Sequence, residues 1–239
     1  MSTAELAFVA GATGYTGRSV VRELRAHGVR TVAHVRRESR EFERWSTAFR
    51  ELGSEIDSTP WGAGAFERRF AELRPTHVFA LLGTTWARAR REARTARGEK
   101  PSYQSIDVAL TTELVRAAAA LAHEPRFVFL SSIGTAPGTR NPYRASRWRI
   151  ESTVREALDD WTLVRPSFIT GPDRDERRLG ETLGAATGDA VLALAGLLGA
   201  RRLRDRYRSI RGTDLARALV RLAFDPTARG RVIHAEELR

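Results

Sequence analysis

The sequence predicts a doubly wound α/β fold, in which a parallel sheet carries helices on both faces. Three observations predict it. Short, uninterrupted apolar runs recur at 6–10, 77–82 and 126–130, as expected of strands buried on both faces. Segments with apolar residues at helical spacing lie between them, and such β–α alternation forces parallel pairing with right-handed crossovers. A glycine-rich turn joins the first apolar run to the first helical segment.

Each element follows from its residues. The run at 6–10 is the first strand. Segment 19–27 carries Val20, Val21 and Leu24 on one helical face, and Gly28 stands where a C-terminal helix cap belongs. Residues 31–35 form the second strand and complete a βαβ unit of about 30 residues. Residues 42–52 are amphipathic, 55–58 form a weak third strand, and 66–73 a helix stopped by Pro75. The clearest inner strand is 77–82. A long helix spans 102–122, with Ile106, Leu110, Leu114, Val115 and Leu121 on its apolar side. The fifth strand is 126–130, a helix covers 143–158, and 161–165 is the sixth strand. Beyond Pro166 the alternation loosens into a charged loop at 171–178, a small apolar helix at 192–198, an amphipathic segment at 214–223 and a last strand at 231–235. Residues 1–239 read as a single domain. The part from about 166 to 239 covers the carboxyl edge of the strands, where open α/β sheets bind ligands.

Composition removes several function classes. The 239 residues include no cysteine, which excludes disulfide frameworks, cysteine nucleophiles, zinc fingers and iron–sulfur clusters. Histidines 27, 34, 77, 123 and 234 lack metal-ligand spacing, so no metal is expected. The formal charge is +11, and 39 of the 40 basic residues are arginine, Lys100 being the one lysine. These arginines are dispersed and interleaved with acids. They read as a compositional bias and not as a specific nucleic-acid surface. Residues 2–5 lead directly into the first strand, and the apolar stretch 183–200 is broken by Asp189 and four glycines. A soluble cytoplasmic protein without a membrane partner is the expectation.

The chemistry concentrates at strand ends. Gly11-Ala12-Thr13-Gly14-Tyr15-Thr16-Gly17 lies between the first strand and the first helix. In such a turn the first glycine permits the bend, the second admits a pyrophosphate, and the third lets the helix pack closely. Free amides and the positive helix end then face the phosphates, so a dinucleotide is expected there. The second strand ends in Val35-Arg36-Arg37 where an NAD site would place a carboxylate. Two guanidinium groups suit the 2′-phosphate of NADP. Leu82-Gly83-Thr84-Thr85 follows the fourth strand, where glycine allows close passage of a ribose and the hydroxyls can bond it. The fifth strand ends in Ser131-Ser132. Tyr143 follows eleven residues after Ser132, and Arg147 lies one helical turn beyond Tyr143. Converging on a nicotinamide, a serine would hold the substrate oxygen, a tyrosine would exchange its proton, and a cation would favour the phenolate. Segment 86–100, with arginines at 88, 90, 91, 94 and 97, reads as a solvated loop, the alternative being a lid for an acidic substrate.

With these pieces in order, the chain resembles an atypical short-chain dehydrogenase/reductase with a Rossmann-type domain. It looks NmrA-like, and most similar to the Tat-interacting-protein-like oxidoreductase branch. The matching segments are 11–17, 82–85, Leu130-Ser131-Ser132, Tyr143 with a cation at 147, Val164-Arg165-Pro166-Ser167, and the turn Gly171-Pro172-Asp173-Arg174. The resemblance implies that Ser132 and Tyr143 are catalytic and that Pro166-Ser167-Phe168 lines the nicotinamide. Two departures stand out. The family pattern Tyr-x-x-x-Lys has Arg147 in place of lysine, and lysine in that pattern also binds the nicotinamide ribose. After the third strand the chain reads Ser58-Thr59-Pro60-Trp61, which makes Asp57 a poor adenine ligand and offers Trp61 as a stacking partner. The expected function is NADPH-dependent reduction of a small carbonyl compound by a monomer or homodimer, with Ser132, Tyr143 and Arg147 as the catalytic set. The alternative is an NADP-sensing regulator that acts through a protein partner without turnover.

Overall fold

The computed structural model describes residues 5–83, 103–171 and 208–238, with side chains from 107 onward in the second segment. Thr84, Thr85, the segment 86–100, residues 172–178 and the helix expected at 192–198 lie outside the described residues. Among those described, strand β1 (Leu6–Ala10) is followed by α1 (Tyr15–Ala26), β2 (Arg30–His34), α2 (Phe42–Glu51), β3 (Glu55–Asp57), α3 (Ala65–Leu73) and β4 (His77–Ala80). Then come α4 (Tyr103–Ala119), β5 (Arg126–Leu130), α5 (Pro142–Ala157), β6 (Trp161–Arg165), β7 (Ile169–Thr170), β8 (Ile210–Arg211), α6 (Gly212–Phe224) and β9 (Arg231–His234).

Seven strands form one sheet in the order β3-β2-β1-β4-β5-β6-β9. Every neighbouring pair in it is parallel. All seven carboxyl ends therefore lie along one edge. The expected fold class is the observed one. The expected last strand joins the sheet beside β6, so the C-terminal stretch contributes a strand to it.

The continuous apolar runs have a direct cause. Alternate residues of β1 serve different cores. Ala7 and Val9 join the cluster built with Val20, Leu24, Trp45, Phe49, Leu215 and Leu219 from α1, α2 and α6. Leu6, Phe8 and Ala10 join the opposite cluster, with Phe66, Phe70, Leu114, Ile150 and Val154 from α3, α4 and α5. The same split divides Phe79 from Val78 and Ala80 in β4, and Val128 from Phe127 and Phe129 in β5. Each fully buried Val, Leu, Ile or Phe among them contributes roughly 1.5–3 kcal/mol.

Two histidines sit within this packing. His34 is buried against Phe8, Trp61 and Phe66, and its Nε2 donates to the Thr59 carbonyl at 2.9 Å. Burial pushes its pKa down. His77 packs on Phe224 at 4.2 Å between ring centroids. Burial, with the Arg126 charge, pushes its pKa down to about 4. The unfolded imidazole, with a pKa of about 6.5, takes its proton first as pH falls. Stability from His77 is therefore complete above about pH 6.5 and is lost between there and about pH 4, by up to about 3 kcal/mol, and His34 adds to the loss in the same direction. The thermal midpoint should fall between pH 7 and pH 5, and His77→Phe should flatten part of that slope. Equal slopes for the wild type and the variant would show that His77 does not carry the effect.

Candidate active site

The glycine turn after β1 is built on close approach. Gly11 has φ +82°, and a Cβ there would lie 2.7 Å from the Leu81 carbonyl oxygen at the end of β4. A Cβ on Gly17 would lie 2.1 Å from the Gly11 oxygen and 2.8 Å from the Ala12 Cα. The Gly14 amide donates to the Gly11 carbonyl at 3.0 Å, and Gly14 is the extended N-cap of α1. No side chain caps that helix start, so its first amides have no side-chain acceptor. This is the arrangement that a phosphate completes. The helix begins at Tyr15, four residues earlier than its apolar spacing indicates.

Beside this turn, Arg36 and Arg37 are exposed after β2, with the Arg37 guanidinium 5.2 Å from the Phe42 ring centroid. Sequence reasoning missed a third cation. Arg18, in the first turn of α1, is 8% exposed and lies 4.7 Å from the Trp45 ring centroid. Its signal was its place directly after the third glycine. Asp57 is occupied locally, accepting from the Thr59 amide and hydroxyl and from Arg69 Nε at 2.6 Å. Trp61 packs on Phe66 at 4.4 Å and on His34, and so belongs to the aromatic cluster below the strand ends.

The other expected residues lie along the same edge, because β1, β4, β5 and β6 are consecutive in the sheet. Ser132 shares a tight turn with Thr135, whose hydroxyl donates to the Ser132 carbonyl at 2.9 Å. The neighbouring Ser131 hydroxyl turns inward and donates to buried Glu151 at 2.6 Å, so only its backbone faces the edge. Tyr143 stands in the first turn of α5, where Pro142 starts the helix and the Asn141 side chain accepts from the Arg144 amide at 3.0 Å. The tyrosine is 36% exposed. Arg147 is placed differently from the expectation, with 1% exposure. It donates to the Leu82 carbonyl and to Asp107 Oδ2, each at 2.9 Å. Asp107, on α4, is a residue that sequence reasoning did not single out. Pro166 accepts from the Ile133 amide, the Ser167 hydroxyl donates to the Arg208 carbonyl, and Phe168 is 65% exposed.

Tyr15 is also placed unexpectedly. Its hydroxyl donates to the Thr170 carbonyl at 3.1 Å, and its ring occupies the space left by Gly171 and Gly212. The glycine turn is thereby clasped to the two-stranded β7–β8 pair. Among the described residues, no group of three His, Asp or Glu side chains is set to hold a metal ion. No described helix is long and apolar enough to cross a membrane. A cleft of about 1170 Å³, lined by Glu23 of α1, His27 just after it, and Asp214, Arg217 and Arg221 of α6, lies away from the Tyr143 and Arg147 cluster.

The model of the NAD dependent epimerase/dehydratase family matches residues 7–233. The mitochondrial protein FMP52 of Coccidioides immitis is 29% identical over 171 residues, which cover 71% of this chain and 63% of that protein. The fold is similar to yeast methylglyoxal/isovaleraldehyde reductase Gre2, solved with NADPH, at TM-score 0.66 and 16% identity over 96% of this chain and 78% of that one. It is also similar to UDP-N-acetylglucosamine 4-epimerase from Bacillus cereus, at TM-score 0.59 and 13% identity over 95% and 77%. The resemblance to a short-chain dehydrogenase/reductase is thus borne out at the level of superfamily and fold.

The clasp gives a direct test. A Cβ at Gly212 would lie 2.2 Å from Tyr15 Cε1. Gly212→Ala should destabilise the protein by about 1–3 kcal/mol in urea unfolding, and Tyr15→Ala should remove most of that extra cost in the double variant. Additive losses would show that the ring and the glycine do not share one slot.

Proposed function

The chain belongs to the NAD-dependent epimerase/dehydratase family, and within it we propose an oxidoreductase of the short-chain dehydrogenase/reductase type, using NADPH to reduce a small carbonyl compound. The observation that carries this reading is Tyr143. It stands partly exposed in the first turn of α5, with the Arg147 guanidinium 4.9 Å from its ring centroid, on the sheet edge that also bears the glycine turn. The glycine turn fits a dinucleotide, because the space a Cβ would fill at Gly11 and Gly17 is already backbone, and the start of α1 has no side-chain cap. Its amides from Gly11 to Gly17 would hold the diphosphate. Arg18, Arg36 and Arg37 would meet the 2′-phosphate, and exposed Phe168 would cover the nicotinamide.

When bound, the cofactor supplies a hydride. The Ser132 hydroxyl would hold the substrate oxygen. That oxygen takes the Tyr143 proton as the carbonyl carbon becomes an alcohol carbon, and solvent returns a proton to the phenolate. The positive guanidinium beside the ring lowers the energy of the charge that develops on the phenol oxygen. The partner in this reading is a small molecule, bound by a monomer or homodimer without nucleic acid or membrane. The regulator reading keeps one supporting observation, since Arg147 is taken up by Asp107 and turned from the exposed edge.

NADPH should bind more tightly than NADH. Replacing Arg36 and Arg37 together by Ala should erase most of the difference, each charge-assisted phosphate contact being worth about 1.5–3 kcal/mol. Equal affinities for both cofactors in a fluorescence titration would remove the NADP assignment. For the chemistry, Tyr143→Phe should lower turnover by about 100-fold or more in a carbonyl screen that follows NADPH absorbance, with cofactor binding nearly unchanged. A wild type that binds NADPH and turns over no carbonyl compound would favour the regulator.

A further inference from the structure

Arg147 is fixed by two acceptors on different elements. One terminal nitrogen donates to the Leu82 carbonyl just beyond β4, and the other to Asp107 on α4. Its Nε is buried without an acceptor among the described residues, so these two contacts define its hydrogen-bonded seat. The guanidinium faces two rings, with its carbon 4.9 Å from the Tyr143 centroid and 5.5 Å from that of Phe129. Gly83 makes room for it, since a Cβ there would lie 3.2 Å from the terminal nitrogen. Asp107 is 2% exposed, so the pair is closed to solvent. A lysine ammonium is a compact point charge. It lacks the planar fork that donates to these two acceptors from separate nitrogens and the flat face that lies against the two rings.

We propose that Asp107 is a positioning residue for Tyr143. It seats the Arg147 guanidinium against the Tyr143 ring and the turn after β4, which makes arginine the required residue at 147 and withholds that side chain from the nicotinamide ribose. A buried cation that loses its carboxylate is no longer held in place. Without Asp107 the guanidinium therefore leaves the ring, and the first turn of α5 loses the contact that aims the phenol. The pair acts through Tyr143 and touches neither substrate nor cofactor. The inference rests on the reductase reading for its catalytic consequence, and on geometry alone for the absence of a ribose contact.

The test compares wild type, Asp107→Ala, Asp107→Asn, Arg147→Lys and Arg147→Met for kcat, KM and NADPH affinity. Asp107→Ala should lower kcat by about tenfold or more with KM within about threefold, and Asp107→Asn, which keeps an acceptor oxygen of the same shape but not the charge, should recover only part of the loss. Arg147→Lys should also lose about tenfold in kcat, and it carries the test if Asp107→Ala does not fold. Arg147→Met should bind NADPH within about threefold of wild type. The proposal is overturned if Arg147→Lys keeps or raises kcat while tightening NADPH, or if Arg147→Met weakens NADPH by about tenfold or more. The affinity measurement needs no turnover. A wild type that binds NADPH without reducing a carbonyl compound would thus count against the reductase reading alone, while Arg147→Met still decides whether the arginine is a ribose ligand.

Discussion

At the ends of β1 and β4 the chain passes itself too closely for any side chain to intervene. Gly11 lies against the backbone of Leu81 and Leu82, and Gly17 of α1 lies against Gly11 in turn. Two distant segments, the glycine turn 11–17 and the backbone at 81–82, thus share one van der Waals boundary. That boundary places the start of α1, with its uncapped amides, directly beside the end of β4. The backbone at 81–83 is then held from its other side, because Arg147 donates to Leu82 and lies against Gly83. One short stretch of main chain therefore touches both the glycine turn and the Arg147 guanidinium beside Tyr143. A shift on either side of that stretch is felt on the other, because neither contact has slack.

Helix α5 carries the rest of the alignment. Its buried face presents Arg147 and, one turn later, Glu151, each at most 1% exposed. Arg147 ties the helix to the end of β4 and to α4. Glu151 accepts two bonds from Arg165 at the end of β6, at 2.9 and 2.6 Å, one from Arg155, and one from Ser131 at the end of β5. Buried ion pairs add little net stability over apolar residues of the same shape, but leaving one partner unpaired typically costs about 3–5 kcal/mol. Sliding α5 by one residue would unpair both charges together. The arrangement thus fixes register, and register decides where the Tyr143 phenol stands relative to Ser132.

The fold was legible because the strands are buried on both faces, which leaves an unbroken apolar run that does not depend on partners. Boundaries were less legible where glycine hides a helix. The start of α1 lies within 11–17, where no apolar period can show it. The β7–β8 pair was missed because two-residue strands have no pattern of their own. At the site, the glycine turn was readable from spacing. Ser131 and Ser132 were told apart only by the family resemblance, and the position of Glu151 shows that the first turns inward. Asp107 was invisible for a similar reason. An acidic residue on a long helix reads as solvent-facing until its cation, forty positions away, is brought against it. Arg18 carried a signal, its place after the third glycine, that was outweighed by how common arginine is here.

That abundance bears on what an arginine at any one position means. In a chain with 39 arginines and one lysine, a cation required only for its charge would appear as arginine whatever its role. Several described arginines fit that account. Arg30, Arg44 and Arg217 form exposed pairs with Glu55, Glu41 and Asp214. A lysine could make such a contact, and pairs of this kind are worth about 0–1 kcal/mol. Arg147 differs in what it uses. It donates in two directions from two nitrogens, faces two aromatic rings, and does so away from water. These are the features in which a guanidinium differs from an ammonium. Composition accounts for the arginines whose geometry is generic. The departure from the family's tyrosine–lysine pattern is of another kind, because the carboxylate, the carbonyl and the gap at Gly83 together are shaped to the residue that fills them.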